Sequence, residues 1–352
     1  MEIGYQSALP KKTWKERLLY SLRLTNKSII KVYHGYGHPE QMNIYGHVLK
    51  FGPVPRTHYR KSFITNTLAL LRLFMVKPYP KATVQMEWKG EILTAETDDD
   101  GFFLFEWKDK PPLLQGWYEI VVNMPGKNGS IIAQGKGSIY IPYSTQYGFI
   151  SDIDDTFLIS HSSNLRKRLF VLFTENAHSR KPFEGVVKHY KLLAKGNTTP
   201  DAPNPFFYVS SSEWNLYDYI LEFAKVNEMP QGVFLLNVLK KFTQIFKTGQ
   251  NNHQTKFTRI VRILEAYPKQ RFVLLGDSSQ HDPYIYASLV EHFPRQIHAV
   301  YIRDIYKKNK QKVADVVVKI ESAGVPCFFF EHSADAILHS IKIGLIAQTE
   351  GA

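Results

Sequence analysis

The chain has 352 residues, 44% hydrophobic and 14% aromatic, with 44 Lys and Arg set against 32 Asp and Glu. That length is long for one hydrophobic core, so two folded units are expected, and the apolar content excludes a wholly disordered chain. A single cysteine, Cys327, excludes an intrachain disulfide, and no apolar run approaches the ~20 residues that span a bilayer.

The formal net charge of +12 suits anionic partners such as phospholipid surfaces, nucleic acid or phosphorylated ligands, or it serves solubility alone. The opening MEIGYQSALPKKTW has no apolar core of signal-peptide length, so a soluble, cytoplasmic protein is expected. Residues 1–27 read as a basic amphipathic segment, with 6 basic and 2 acidic groups. Within it, TWKERLLYSLRL at 13–24 repeats Trp14, Leu18 and Leu22 at helical spacing, flanked by Lys15, Arg17 and Arg23. Such a helix packs its stripe on its own domain or lies on an anionic membrane.

Residues 28–145 read as a small all-β, sandwich-like domain. Val84, Met86 and Trp88 alternate with Thr83, Gln85 and Glu87, and Lys89-Gly90 then turns the chain into EILTAET. DDDG at 98–101 is a second turn before FFLFEW, a simpler account of three aspartates than a calcium site. The apolar block at 67–76 interrupts the strands and reads as a crossover helix ended by PYP at 78–80.

From 146 to 352 the pattern changes. YGFIS, PFFYVS, VFLL, RFVLLG, HAVYI and PCFFF alternate with helical patterns around 183–195, 213–226, 256–266, 283–293 and 308–323. Near-continuous apolar strands separated by helices predict a parallel sheet covered on both faces.

Open parallel sheets hold their ligands beyond the carboxyl ends of the strands. Three predicted strands end in reactive residues: YGFIS at Asp152, FFYV at Ser210 and FVLLG at Asp277. In DIDDT, an extended backbone puts Asp152 and Asp154 on one side. With Asp277 they make a hard oxygen site suited to Mg²⁺, which offsets the mutual repulsion of the carboxylates. An aspartate can serve as a phosphoryl nucleophile, and a second carboxyl can protonate the leaving oxygen and then activate water. Ser210 and Lys256 would stabilise the transferring group. Lys256 is chosen because it stands at the expected start of the helix that carries Phe257, Ile260, Val261 and Leu264, with Lys240, Lys241 and Lys247 as alternatives. An EF-hand is excluded, since Phe157 replaces the glycine and Ser163 the closing glutamate. Each element alone reads equally well as a turn or a cap; their occurrence in order, at strand ends, singles them out. No P-loop, HExxH or GxSxG is present.

These motifs resemble those of the haloacid-dehalogenase-like phosphohydrolases. The strand leading to Asp152, Asp154 and Thr156 is similar to the first motif, FFYVS at Ser210 to the second, Lys256 to the third, and Gly276, Asp277 and Asp282 to the fourth. More narrowly, GFISDIDDT, FFYVSSSEWNLYDYI and FVLLGDSSQHDPYIY resemble the actin-patch phosphatidate phosphatase family over roughly 143–305. The resemblance implies a Rossmann-like α/β fold and hydrolysis of phosphatidate to diacylglycerol through an aspartyl-phosphate. It implies Asp152 as nucleophile and metal ligand, Asp154 as acid/base and metal ligand, and Thr156 within the catalytic motif. Asp277 and Asp282 would hold Mg²⁺ or its shell, and Ser210 and Lys256 the phosphoryl group. Residues 157–205 and 213–255 leave little room for a large cap, so an open site facing an anionic membrane surface is expected, with no nucleic-acid partner. The rival expectations are a phosphatase for a lysophospholipid, a phosphoprotein or a nucleic-acid end, and a non-catalytic lipid- or protein-binding module.

Overall fold

The computed structural model describes residues 24–25, 27–53, 74–110, 113–153, 182–237, 252–278, 281–306 and 309–347. The helices expected over 13–24 and 67–76 fall almost wholly outside these residues, and so do Lys240, Lys241 and Lys247.

The N-terminal part is built of strands β1 (Leu24–Thr25), β2 (Ile29–Val32), β3 (His34–His38), β4 (Gln41–Pro53), β5 (Lys77–Pro78), β6 (Thr83–Trp88), β7 (Glu91–Glu96), β8 (Phe102–Trp107), β9 (Gly116–Pro125) and β10 (Ile131–Ile141). They hydrogen-bond as one ten-stranded network that branches at the long β4, which pairs with β1, β2, β3, β5 and β8. The alternation expected in β6 is present: Val84, Met86 and Trp88 are buried in a core shared with Ile44, Phe103 and Val122. Lys89 and Gly90, both at positive φ, make the tight turn into β7. The DDDG run is a turn, as expected, because the Asp98 carboxylate accepts the amides of Asp100 and Phe102, each at 2.9 Å.

The C-terminal part alternates strands and helices. In chain order these are β11 (Tyr147–Asp152), α1 (Val186–Lys195), β12 (Phe206–Glu213), α2 (Tyr217–Val226), β13 (Gly232–Asn237), α3 (Asn252–Ala266), β14 (Arg271–Asp277), α4 (Asp282–His292), β15 (Ile297–Arg303), α5 (Lys310–Ser322), β16 (Cys327–Phe330) and α6 (Ser333–Lys342). The six strands are all parallel, in the order β13-β12-β11-β14-β15-β16. The chain runs outward from β11 to β13 and then crosses to β14 on β11's other side, so the order reverses between β11 and β14. That crevice is where doubly wound sheets take their ligands. Helices α3, α4 and α5 pack side by side, and α1 packs on α6.

Three of the expected elements have other bounds, and one helix, α6, was not expected. β12 continues past Ser210 to Glu213, and α2 starts only at Tyr217 after a single 3-10 turn at Trp214–Leu216. Helix α3 starts at Asn252, so Lys256 lies a full turn inside it and does not open it. Asn252-His253-Gln254-Thr255 form that turn without a single apolar residue, so hydrophobic periodicity could not register it.

An aromatic joint ties the two parts together. Tyr33, between β2 and β3, stacks on Trp214 with centroids 4.0 Å apart and planes at 13°. The Tyr217 hydroxyl accepts the His34 amide at 2.8 Å, and Tyr267 donates to the Gly37 carbonyl at 3.2 Å. An aromatic pair of this kind adds about 0.5–1.5 kcal/mol beyond its buried area. The N-terminal strands therefore abut the turn that follows β12.

Candidate active site

Asp152 closes β11 and Asp277 closes β14, each a carboxylate at the end of a buried apolar strand. Asp282 joins them from the first turn of α4, where the following Pro283 costs no hydrogen bond and the helix dipole favours an acid. One carboxylate oxygen from each of Asp152, Asp277 and Asp282 lies within 4.8 Å of the others. Gly276 makes the approach possible. A Cβ there would stand 2.7 Å from the Tyr286 ring and 2.8 Å from Asp282 Oδ2. Tyr286, one turn beyond Asp282, donates to the Leu275 carbonyl at 2.9 Å and fixes α4 against β14.

Lys256 reaches into this cluster from α3. Its ammonium donates to Asp152 Oδ1 at 2.6 Å and to Asp282 Oδ1, with all three side chains sealed from solvent. Burial pulls its pKa down, but the carboxylates of Asp152 and Asp282 outweigh burial and hold it above the ordinary lysine value. Two of the three ammonium hydrogens are thereby used. Behind Asp152, Tyr190 meets the Ser151 hydroxyl at 2.8 Å, which donates to the Asp152 main-chain carbonyl at 2.7 Å. Burial raises the pKa of the Tyr190 phenol, which keeps it protonated as the outer donor of that chain.

Three carboxylates converge in a buried place, where their mutual repulsion is costly unless cations share it, and Lys256 is bonded to two of them. Asp282 Oδ2 is in addition a buried acceptor without a hydrogen-bond partner among the described residues. An unsatisfied oxygen in an all-carboxylate cluster fits a hard divalent cation.

Ser210 stands on the neighbouring strand, one residue past Val209, which is in register with Asp152. Its hydroxyl accepts the Ser212 amide at 2.8 Å. Of the residues singled out from the sequence, Asp152, Lys256, Asp277 and Asp282 are brought together, and Ser210 stands at the same sheet edge. Asp154 and Thr156 lie outside the described residues.

Two basic residues at this edge went unmarked. Arg259, one turn after Lys256, donates to the Ser210 carbonyl at 2.9 Å. Arg303 closes β15 beside Asp277, donates to the Glu331 carbonyl at 3.1 Å, and lies 5.2 and 5.0 Å from the centroids of Phe183 and Phe330. A charged residue ending an apolar strand, the signal that found Asp152, would have found Arg303 as well.

Fold and site together define an α/β protein with a buried carboxylate–lysine cluster at the switch point of a parallel sheet. Residues 147–304 match the family model described as "Phosphatidate phosphatase APP1, catalytic domain". Over 157 residues the chain is 34% identical to Phosphatidate phosphatase APP1 of Saccharomyces cerevisiae, covering 44% of this chain and 25% of that one. It is 24% identical over 158 residues to an uncharacterized protein of Schizosaccharomyces pombe, with the same coverage of 44% and 25%. The matched segment is thus APP1-like, as its motifs indicated, and it spans about a quarter of the length of those curated relatives. Among solved structures, the fibronectin(III)-like modules of Clostridium thermocellum CbhA are similar at 14% identity over 32% of this chain and 94% of theirs, with a TM-score of 0.16, too low to bear on the fold.

Proposed function

We propose that this site hydrolyses phosphomonoesters with Mg²⁺, and that its substrate is phosphatidate, released as diacylglycerol and phosphate. The observation that carries the reading is the gathering of Asp152, Asp277 and Asp282 around Lys256 at the sheet's switch point. The match of residues 147–304 to a phosphatidate phosphatase catalytic domain supports the substrate class.

Asp152 attacks phosphorus, forming an oxygen–phosphorus bond as the bond to the lipid oxygen breaks. Asp154 gives that oxygen its proton, then takes one from the water that cleaves the aspartyl-phosphate. Lys256 orients the Asp152 carboxylate through its 2.6 Å bond and has a third N–H for a phosphoryl oxygen. Ser210 offers a hydroxyl at the same edge. Asp152, Asp154, Asp277 and Asp282 would hold Mg²⁺, which when bound neutralises charge on the transferring group. A cytoplasmic protein meeting membranes peripherally fits such a lipid substrate.

The test is phosphate release from phosphatidate in mixed micelles, set against soluble phosphomonoesters, with Mg²⁺ or with EDTA. Metal-dependent release, greatest from phosphatidate and abolished by Asp152→Asn, is expected because an amide cannot attack phosphorus. An active Asp152→Asn variant would overturn the nucleophile assignment. Faster turnover of a soluble substrate would overturn the lipid assignment.

A further inference from the structure

Among the described residues only two tyrosines are exposed, Tyr284 at 47% and Tyr306 at 36%, and both stand at the edge that holds the carboxylates. Tyr284 is in the first turn of α4, two residues after Asp282. Tyr306 lies in the loop that leaves β15, three residues after Arg303, and Arg303 is in register with Asp277. Helices α4 and α5 follow the neighbouring strands β14 and β15 and pack side by side, so both first turns stand at this edge.

The loop after β15 is tied to the site. The hydroxyl of Ser278, next in the chain to Asp277, accepts the amides of Ile305 at 3.0 Å and Tyr306 at 3.1 Å. The Ser278 carbonyl accepts Asn309 Nδ2 at 3.0 Å, and the Ser278 amide donates to the Arg303 carbonyl at 2.9 Å. The main chain of Tyr306 is thereby fixed against the strand that ends in Asp277.

The same loop is basic. Residues 306–312 read YKKNKQK, four lysines without an acid. Of these, Lys310 and Lys312 lie in the first turn of α5, which holds no acidic residue. A helix dipole favours acids at that end and disfavours lysines, so their placement works against local stability. Conflicts of this kind are expected where function needs the charge. Lys310 stands 3.6 Å from Asp304 Oδ2 and 3.5 Å from Glu331 Oε1, with 60% of its side chain exposed. Lys312 is exposed and has no ion-pair partner among the described residues.

We propose that Tyr284, Tyr306, Lys310 and Lys312 form a docking rim for an anionic phospholipid bilayer. This rests on the reading of the site as one for a membrane lipid. Tyrosine suits the bilayer interface, with its ring in the apolar boundary and its hydroxyl among the headgroups. Each lysine near an anionic surface strengthens binding about fivefold, from about 1 kcal/mol per basic residue. A bilayer laid on this rim faces the sheet edge where Asp152 and Asp277 end their strands, so a lipid headgroup is presented to the carboxylates.

The experiment is co-sedimentation of the full chain with phosphatidylcholine vesicles, with and without phosphatidylserine. Phosphatidylserine is anionic but carries no phosphomonoester, so binding is read apart from turnover. Hydrolysis of phosphatidate in such vesicles and of a soluble aryl phosphate is measured beside it. Wild type is expected to bind the phosphatidylserine vesicles, less so as salt rises. Lys312→Gln should weaken that binding about fivefold, and Lys312→Arg should keep it. Lys310→Gln should weaken it less, because Asp304 and Glu331 already share the charge of Lys310. Tyr284→Ser combined with Tyr306→Ser should weaken binding at high salt as well as low. Each loss should reappear as a higher KM for vesicular phosphatidate, with kcat on the aryl phosphate unchanged. Thermal melts show which variants fold, and Lys312→Gln with the tyrosine pair carries the test if Lys310→Gln does not. Wild-type vesicle binding in folded Lys312→Gln and tyrosine-pair variants would overturn the proposal while leaving the phosphatase reading in place. So would a wild-type chain that hydrolyses phosphatidate without binding these vesicles. Rim-dependent vesicle binding by a protein that releases phosphate from no ester would overturn the phosphatase reading and leave the rim standing.

Discussion

Lys256→Met removes the cation bonded to Asp152 and Asp282 while keeping a side chain of similar length. Both partner carboxylates are sealed from solvent, so each loses its bonded cation in a buried place. Removing one partner from a buried ion pair costs about 3–5 kcal/mol, and here two pairs share the lysine. That is a large part of the ~5–15 kcal/mol that usually separates a native domain from its unfolded chain. Urea unfolding at neutral pH without metal should therefore show a markedly lower midpoint for the variant. Mg²⁺ should then restore much of the loss, since a ligand at a hundred times its Kd stabilises by about 2.7 kcal/mol and the variant's cluster is the more negative of the two. Turnover should be lost with or without metal, because the Asp152 carboxylate is no longer oriented. If Lys256→Met is as stable as wild type without Mg²⁺ and responds to the ion no more strongly, the cluster is not an electrostatic unit and the account of the site fails.

Gly276→Ala should destabilise by about 1–3 kcal/mol through overpacking against Tyr286, and should weaken Mg²⁺ binding because the new methyl meets Asp282 Oδ2 at 2.8 Å; a metal titration unchanged from wild type would refute this. Burial lowers the pKa of His47 and His189 to about 3, while the unfolded chain takes up their protons near 6.5. Their contribution is therefore full above the unfolded value and falls as pH drops from about 6.5 toward 3, by about 2 kcal/mol per histidine at pH 5; urea midpoints that stay flat across that window would contradict it. Deleting residues 1–27 should weaken binding to anionic vesicles more than hydrolysis of soluble phosphomonoesters, and equal vesicle binding would remove the segment's proposed membrane role.

What could be read from the sequence was what one strand or helix encodes by itself. Asp152 and Asp277 were legible because each follows an unbroken apolar run whose end must lie at a sheet edge. Asp282 was legible only through the spacing of a recognised motif. β12 runs on past Ser210 because Ser211, Ser212 and Glu213 are buried by what packs on them, and polar residues of that kind read locally as a loop. Helix α6 escaped notice for a related reason: Ala336 and Ser340 bury small side chains, and the Ser340 hydroxyl meets His189 at 2.9 Å, so no wide apolar stripe marks it. The branching of the N-terminal network at β4 depends on five partners spread along the chain, which no local pattern carries.

Lys256 lies one turn inside α3 and not at the helix start to which hydrophobic periodicity pointed. A lysine at a helix terminus would draw an anion jointly with the terminal amides; one turn inside α3 it meets carboxylates from two other elements. Its charge goes first to Asp152 and Asp282, and whatever it offers a phosphoryl group comes from its remaining hydrogen. An anion arriving here needs more donors than the one hydrogen Lys256 has left. Helix α3 holds the acids through Lys256 and the end of β12 through Arg259, which donates to the Ser210 carbonyl, so a shift of this helix should move both together.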